Sequence, residues 1–161
     1  MTLKTLVVGP FQVNCYLYSD ESSADTVIID PGAEQDRIIA EIDQAGLTVR
    51  AILLTHGHGD HIAGVEGVKN HFKVPLYIGR GEEELLANPS ANVSALFADP
   101  IVAPPADVLL DDEQIIEVGT VSLRVLSTPG HSPGGVCYLD ESQGILFCGD
   151  TLFYGSIGRT D

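Results

Sequence analysis

The stretch Thr55-His56-Gly57-His58-Gly59-Asp60-His61 follows directly on the apolar run Val49–Leu54. A run with so little polar alternation is typical of a strand that is buried on both faces. In α/β folds the loops at the ends of such strands form the functional sites. This stretch therefore predicts an α/β fold with its functional site at the end of a central strand.

The spacing of the polar residues in this stretch favours metal binding. His56 and His58 are two apart in an extended segment, so their side chains project to the same side and can bind one cation. Asp60 and His61 begin the next turn and can face a second cation. Gly57 and Gly59 lack side chains, so the backbone can fold closely around the ions.

Two further polar residues also follow apolar strands. His131 lies in the Pro- and Gly-rich loop that succeeds the strand predicted over 121–127, and Asp150 succeeds the strand predicted over 145–148. Loops at one edge of layered sheets can converge, and the two oxygens of a carboxylate can each bind one cation. These residues are expected to complete a metal centre with the histidine stretch.

The order of predicted elements indicates sheets covered by helices. Three short strands precede a helix over 33–45, and the buried strand is followed by a helix over 60–72. A short acidic helix over 81–87 and an irregular segment over 88–105 lead into further strands up to residue 148. We expect an α/β layered domain.

Length, charge and cysteine content bound the function classes. A chain of 161 residues is expected to form one domain, residues 1–161. The net charge of 8 − 23 = −15 argues against nucleic acid and against an anionic membrane surface as partners. Three cysteines make no disulfide framework, and no apolar leader segment precedes residue 9, so a cytoplasmic location is expected.

With His131 and Asp150 at these separations, the histidine stretch resembles the metallo-β-lactamase superfamily, and within it the glyoxalase II-like (hydroxyacylglutathione hydrolase-like) branch. The resemblance covers residues 6–161 and implies an αββα sandwich. It assigns one metal to His56, His58 and His131, and a second metal to Asp60 and His61. It assigns Asp150 as the bridge between them. Asp60 is also expected to act in catalysis, either by orienting the nucleophile or by shuttling its proton.

The family pattern also supplies a further histidine to the second metal, from a loop well beyond Asp150. The stretch over 155–161 looks like a loop that stops in mid-course. The fold is therefore expected to be incomplete at its C-terminal end, with the last ligand and much of the substrate pocket outside this sequence.

The resemblance implies a metal-dependent hydrolase with two divalent cations, zinc being the expected metal and iron or manganese the alternatives. A hydroxide held by the metals would attack a thioester, and a glutathione thioester is the expected small-molecule substrate. One alternative is a persulfide dioxygenase with a single iron on His56, His131 and Asp150. Another is a non-catalytic scaffold.

Other polar residues receive simpler interpretations. Asp30 and Thr55 are candidate hydrogen-bond partners for the outer ring nitrogens of the ligands. His71 is expected to lie on a helix surface, and the cysteines to be buried apolar side chains. The acidic run Glu82-Glu83-Glu84 is expected to face solvent.

Overall fold

The computed structural model describes residues 1–96 and 99–160, and it contains two β-sheets stacked face to face. Residues 97 and 98 of the predicted irregular segment, and residue 161 of the predicted C-terminal loop, lie outside the described residues. The predicted α/β layered class is confirmed. That residues 1–161 form a single domain stays a prediction.

The first sheet has six strands in the order of the chain: β1 (Thr2–Val8), β2 (Val13–Ser19), β3 (Asp25–Ile29), β4 (Thr48–Leu53), β5 (Leu76–Gly79) and β6 (Val108–Leu110). The first three strands pair antiparallel, whereas β3 to β6 are parallel. Parallel neighbours need crossover connections, which here contain the helices. These are α1 (Gln35–Ala45), α2 (Gly59–Ile62), α3 (Val65–Phe72) and α4 (Glu83–Ala87).

The second sheet is antiparallel and has four strands: β7 (Ile115–Val118), β8 (Val121–Ser127), β9 (Val136–Asp140) and β10 (Ile145–Phe147). A two-stranded hairpin follows, β11 (Leu152–Phe153) and β12 (Ser156–Ile157), where the sequence predicts only a loop. It places residues 149–158 beside the end of β10.

Two apolar cores lie on opposite faces of the first sheet, and the alternation along β4 shows how one strand serves both. Ile52 packs with the helices, whereas Ala51 and Leu53 pack against the second sheet. Side chains of successive strand residues point to opposite faces, so the continuous apolar run of β4 is buried on both sides. The prediction of a doubly buried central strand is confirmed.

All four described helices contribute to the core on the outer face of the first sheet. The described part of the chain therefore forms three of the four layers of an αββα sandwich: helices, first sheet and second sheet. None of the described helices is long and apolar enough to span a bilayer.

The helix predicted over 60–72 is divided in two at Gly64, between α2 and α3. The backbone N–H of Gly64 donates to the carbonyl of Pro31, and a Cβ at position 64 would lie 2.6 Å from that oxygen. The close approach of the β3–α1 connection therefore interrupts the helix. It also brings Asp30 next to the histidine stretch.

Candidate metal centre

Four strand ends deliver the polar side chains of the site. β3 leads into Asp30, β4 leads into His56 and His58, β8 leads into the loop of His131, and β10 leads into Asp150. His61 lies in the short helix α2. The three histidines of the stretch are at most 5% exposed, so their rings face the interior and not solvent.

The ligand atoms form two groups that share His56. One group is His56, His58 and His131, and the other is His56, His61 and Asp150, with the atoms of each group within 4.8 Å of one another. Two nitrogens bound to one zinc ion in tetrahedral geometry would lie about 3.4 Å apart. Each group can therefore bind a common cation after shifts of about 1 Å or less in the side chains.

The ring nitrogens that face the site differ between the histidines. His58 directs Nδ1 toward Nε2 of His131, at 3.0 Å. His56 engages Nδ1 with the Thr55 hydroxyl at 3.1 Å, and its Nε2 is buried without a hydrogen-bond partner among the described residues. A buried ring nitrogen without a partner is costly, and a metal ion would satisfy it.

Asp150 directs its two carboxylate oxygens to two histidines. Oδ1 lies 3.2 Å from Nε2 of His61, and Oδ2 lies 3.5 Å from Nε2 of His131. Because these histidines belong to different groups, the carboxylate lies between them. Nitrogen and carboxylate oxygen donors in such a set suit zinc, iron and manganese.

Asp30 supports the site from behind. Its carboxylate accepts hydrogen bonds from the backbone N–H and the hydroxyl of Thr55, at 2.8 and 2.7 Å, and lies 3.0 Å from Nδ1 of His61. The backbone carbonyl of Arg159 lies 3.1 Å from Nδ1 of His131. Such outer contacts orient the rings of metal-binding histidines.

The pKa values of the ionisable groups in the site are shifted in different directions. Burial, followed by the nearby His131, lowers the pKa of His58 to about 4. Burial alone would lower the pKa of His61 as well, but the carboxylates of Asp30 and Asp150 outweigh it and raise that pKa to about 10. The pKa of Asp150 is lowered in spite of its burial, because the ring of His61 lies 3.2 Å from its carboxylate and carries the opposite charge when protonated.

Asp60 belongs to neither ligand group among the described residues. It lines a cavity of about 400 Å³ together with His61 and Asp150, and Phe11, Tyr16 and Phe153 line the same cavity. The site therefore opens into a space that is lined by both polar and aromatic side chains.

His71 belongs to neither of the two ligand groups. It lies in α3 with its side chain 46% exposed, and its Nε2 lies 3.6 Å from a carboxylate oxygen of Asp43. Cys15 and Cys137 are buried as expected, whereas Cys148 is only half-buried and lines the cavity.

The prediction for Glu82 is wrong. Its side chain is fully buried, whereas Glu83 and Glu84 face solvent. Its carboxylate accepts a hydrogen bond from the N–H of Gly57 at 2.7 Å and another from the N–H of Gly134 at 2.6 Å. Its position immediately before the helix α4, with Leu85 and Leu86 buried behind it, is the one local signal that separates it from its acidic neighbours.

Comparison with known proteins shows to which family the chain and its fold are similar. The family model described as "Metallo-beta-lactamase superfamily" matches residues 8–161. The probable metallo-hydrolase YqgX of Bacillus subtilis is 40% identical over 163 residues, which cover 100% of this chain and 76% of YqgX. The hydroxyacylglutathione hydrolase GloC of Haemophilus influenzae is 33% identical over an alignment that covers 100% of this chain and 76% of GloC.

Two solved structures share the fold over nearly the whole chain. The B3 metallo-beta-lactamase BLEG-1 has a TM-score of 0.95 and 41% identity, over 99% of this chain and 77% of its own. TTHA1623 in a di-iron-bound form has a TM-score of 0.85 and 34% identity, over 98% of this chain and 77% of its own. The present chain thus spans about three quarters of the length of these proteins.

Proposed function

Because this chain belongs to the metallo-β-lactamase superfamily, a superfamily of metallo-hydrolases, we propose that it hydrolyses thioesters with two bound divalent cations. The observation that carries the proposal is the pair of ligand groups that share His56. GloC, a relative at 33% identity, is a hydroxyacylglutathione hydrolase and supports a glutathione thioester as the substrate class.

The described residues fit such a pair of cations. We assign His56, His58 and His131 to the first, Asp60 and His61 to the second, and Asp150 to both. The buried and unpartnered Nε2 of His56 and the two-sided placement of Asp150 support this assignment. When bound, the cations would lower the pKa of water to about 7 and polarise the acyl carbonyl. Zinc is the proposed metal. Iron is the alternative, because the similar protein TTHA1623 has a di-iron-bound form.

The side chains around the cavity supply the remaining functions. Asp60 lines the cavity beside His61 and would accept the proton of the attacking water, as a general base does. The aromatic residues that line the same cavity would exclude water from the substrate. A thiolate leaves without acid assistance, so the proposed reaction needs no further proton donor.

The proposal is tested with the purified chain loaded with Zn²⁺, Mn²⁺ or Fe²⁺. Thiol release from S-lactoylglutathione is followed with a chromogenic thiol reagent, with a chelator-treated sample as the control. We expect turnover in at least one metal form and none after chelation. Oxygen uptake with glutathione persulfide, without thiol release, would instead support the iron dioxygenase. Less than one bound metal per chain would support the non-catalytic scaffold.

A second candidate function is the hydrolysis of β-lactams, which the 41% identity to BLEG-1 favours. Both substrates present an acyl carbonyl to an attacking water, but the amine leaving group of a β-lactam must be protonated whereas a thiolate need not be. A chromogenic cephalosporin assayed beside the thioester separates the two functions. We expect kcat/KM for the thioester to exceed that for the cephalosporin, and the reverse order would replace the proposed substrate.

A further inference from the structure

We propose that Glu82 is a positioning residue that sets the distance between the two loops carrying the ligands of the first metal. This inference rests on the proposed function, because it concerns the same ligands. It assigns a role to a side chain that binds no metal itself. The geometry that carries it is a buried carboxylate joined to both loops.

The two hydrogen bonds of Glu82 reach different loops. Oε2 accepts from Gly57, which lies between His56 and His58, and Oε1 accepts from Gly134, three residues after His131. His58 and His131 are the two histidines whose ring nitrogens approach within 3.0 Å. One carboxylate therefore connects the backbones on both sides of the closest pair of ligand atoms.

The surrounding backbone leaves little freedom for this connection to shift. A Cβ at position 57 would lie 2.6 Å from Cβ of Leu85, in the helix that Glu82 precedes. A Cβ at position 134 would overlap the carbonyl oxygen of Arg80. The backbones of both loops therefore pack directly against residues 80–85, the segment that contains Glu82.

A second contact from the same region holds the other end of the histidine stretch. The N–H of Gly59 donates to the carbonyl of Asn92 at 3.0 Å. The Asn92 side chain is fully buried and donates to the carbonyls of Leu85 and Ile101, at 2.8 and 3.0 Å. The segment 82–94 therefore anchors the stretch at Gly57 and at Gly59, and Glu82 also links this segment to the loop of His131.

A carboxylate is the side chain that this arrangement requires. The two N–H donors reach different oxygens of the Glu82 side chain, and a carboxylate offers an acceptor on each oxygen. A glutamine of the same shape offers one oxygen and one NH₂ group, so one of the two amides would face another donor. Leaving a buried donor without a partner is unfavourable, and the affected loop is expected to move away.

The test compares Glu82→Gln with Glu84→Gln, which changes an exposed glutamate in the helix that follows Glu82, where its side chain contacts Asn88. Zn²⁺ affinity is measured by competition with a chromogenic chelator, and Co²⁺ absorption reports the ligand geometry. We expect Glu82→Gln to weaken binding of the first Zn²⁺ by about 10–100-fold and to alter the Co²⁺ spectrum. Glu84→Gln is expected to match the parent protein within about 2-fold.

Thermal unfolding of the metal-free proteins separates positioning from a purely structural role. A lower melting temperature for Glu82→Gln, together with unchanged Zn²⁺ affinity and an unchanged Co²⁺ spectrum, would overturn the inference. Failure of the parent protein to bind Zn²⁺ or Co²⁺ would instead overturn the proposed function, and the inference with it.

Two further measurements cover the case in which Glu82→Gln does not fold. Glu82→Asp keeps both oxygens and the charge but is one methylene shorter, so we expect an intermediate loss of Zn²⁺ affinity. In the parent protein, the amide protons of Gly57 and Gly134 should exchange slowly with solvent. Fast exchange at either position would show that the bridge does not form and would overturn the inference.

Discussion

At the scale of single residues, outer partners decide which ring nitrogen of His56, His61 and His131 faces the site. Thr55 contacts Nδ1 of His56, Asp30 lies next to Nδ1 of His61, and the Arg159 carbonyl lies next to Nδ1 of His131. In each case Nε2 is left for the centre of the site. The orientation of these ligands thus depends on a hydroxyl, a carboxylate and a backbone carbonyl that contact the ring nitrogens facing away from the site.

Replacement of His56 tests the ligand assignment because this residue belongs to both groups. His56→Ala is expected to release at least one metal per chain and to lower thioesterase activity by more than about 100-fold, since loss of an outer partner alone typically costs 10–100-fold. Metal content by elemental analysis and thiol release measure the two effects.

His71→Ala is the matched control, because His71 is partly exposed in α3 and contacts only the surface carboxylate of Asp43 among the ion pairs of the described residues. It should keep the metal content and activity of the parent protein. Equal losses in the two variants would contradict the assignment of His56.

At the scale of secondary-structure elements, glycines at strand ends let the ligand loops approach one another. Gly149 follows β10 with φ of 47°, and a Cβ at this position would overlap the hydroxyl of Thr55. That hydroxyl is hydrogen-bonded to Asp30 and contacts His56. The ends of β4 and β10 can therefore lie this close together only because position 149 is a glycine.

Gly149→Ala tests this contact, and Gly144→Ala is its control. Gly144 also has a left-handed backbone, with φ of 65°, but a Cβ there would have no neighbour within 4 Å. Both variants are expected to lose about 1–2 kcal/mol of unfolding free energy from the backbone conformation. Gly149→Ala should lose about 1–3 kcal/mol more from overpacking, and should bind Zn²⁺ more weakly. Equal losses in urea unfolding would show that Thr55 and Gly149 do not pack as described.

At the scale of the whole molecule, buried polar contacts join the two sheets. The hydroxyl of Tyr18 in β2 donates to Asp140 in β9 at 2.6 Å, and the hydroxyl of Tyr138 in β9 donates to the carbonyl of Leu54 at 2.6 Å. Both tyrosines are fully buried. These bonds fix the relative placement of the sheets, and with it the distance between His56 and His131.

The pKa of Asp140 connects this contact to acid stability. Burial would raise it, but hydrogen bonds from Tyr18, Ser142 and Gln143 outweigh burial and lower it. A lowered folded-state pKa contributes stability above the unfolded value of about 3.9, and the contribution is lost as the pH falls through the folded value. The pKa of Tyr18 is raised by burial and by Asp140, so its contribution is present below pH of about 10 and is lost above it.

Tyr18→Phe removes the donor and leaves Asp140 short of one hydrogen bond. The expected cost at pH 7 is about 1–3 kcal/mol of unfolding free energy. The difference from the parent protein should shrink below pH of about 3–4 and above pH of about 10, and urea unfolding at several pH values measures it. Tyr154→Phe, at a fully exposed tyrosine, should change nothing. A loss that does not vary with pH would show that the hydrogen bond to Asp140 is not its cause.

Comparison of sequence and structure shows which features local patterns can predict. The strand β4, its burial on both faces and the polar residues at its end follow from a short stretch of sequence. The division of the predicted helix over 60–72 does not, because it depends on the approach of Pro31 to Gly64. The hairpin of β11 and β12 does not follow from the sequence either, since strands of two residues show too little periodicity.

The sequence by itself determined the donor atoms and their order: three histidines and an aspartate after one buried strand, one histidine after a second strand and one aspartate after a third. Only the tertiary structure decided that Glu82 is buried and that it links the ligand loops, because its partners are 25 and 52 residues away in the chain. Residue type and spacing act over one or two turns. The distance between loops is set by packing between segments that no local pattern relates.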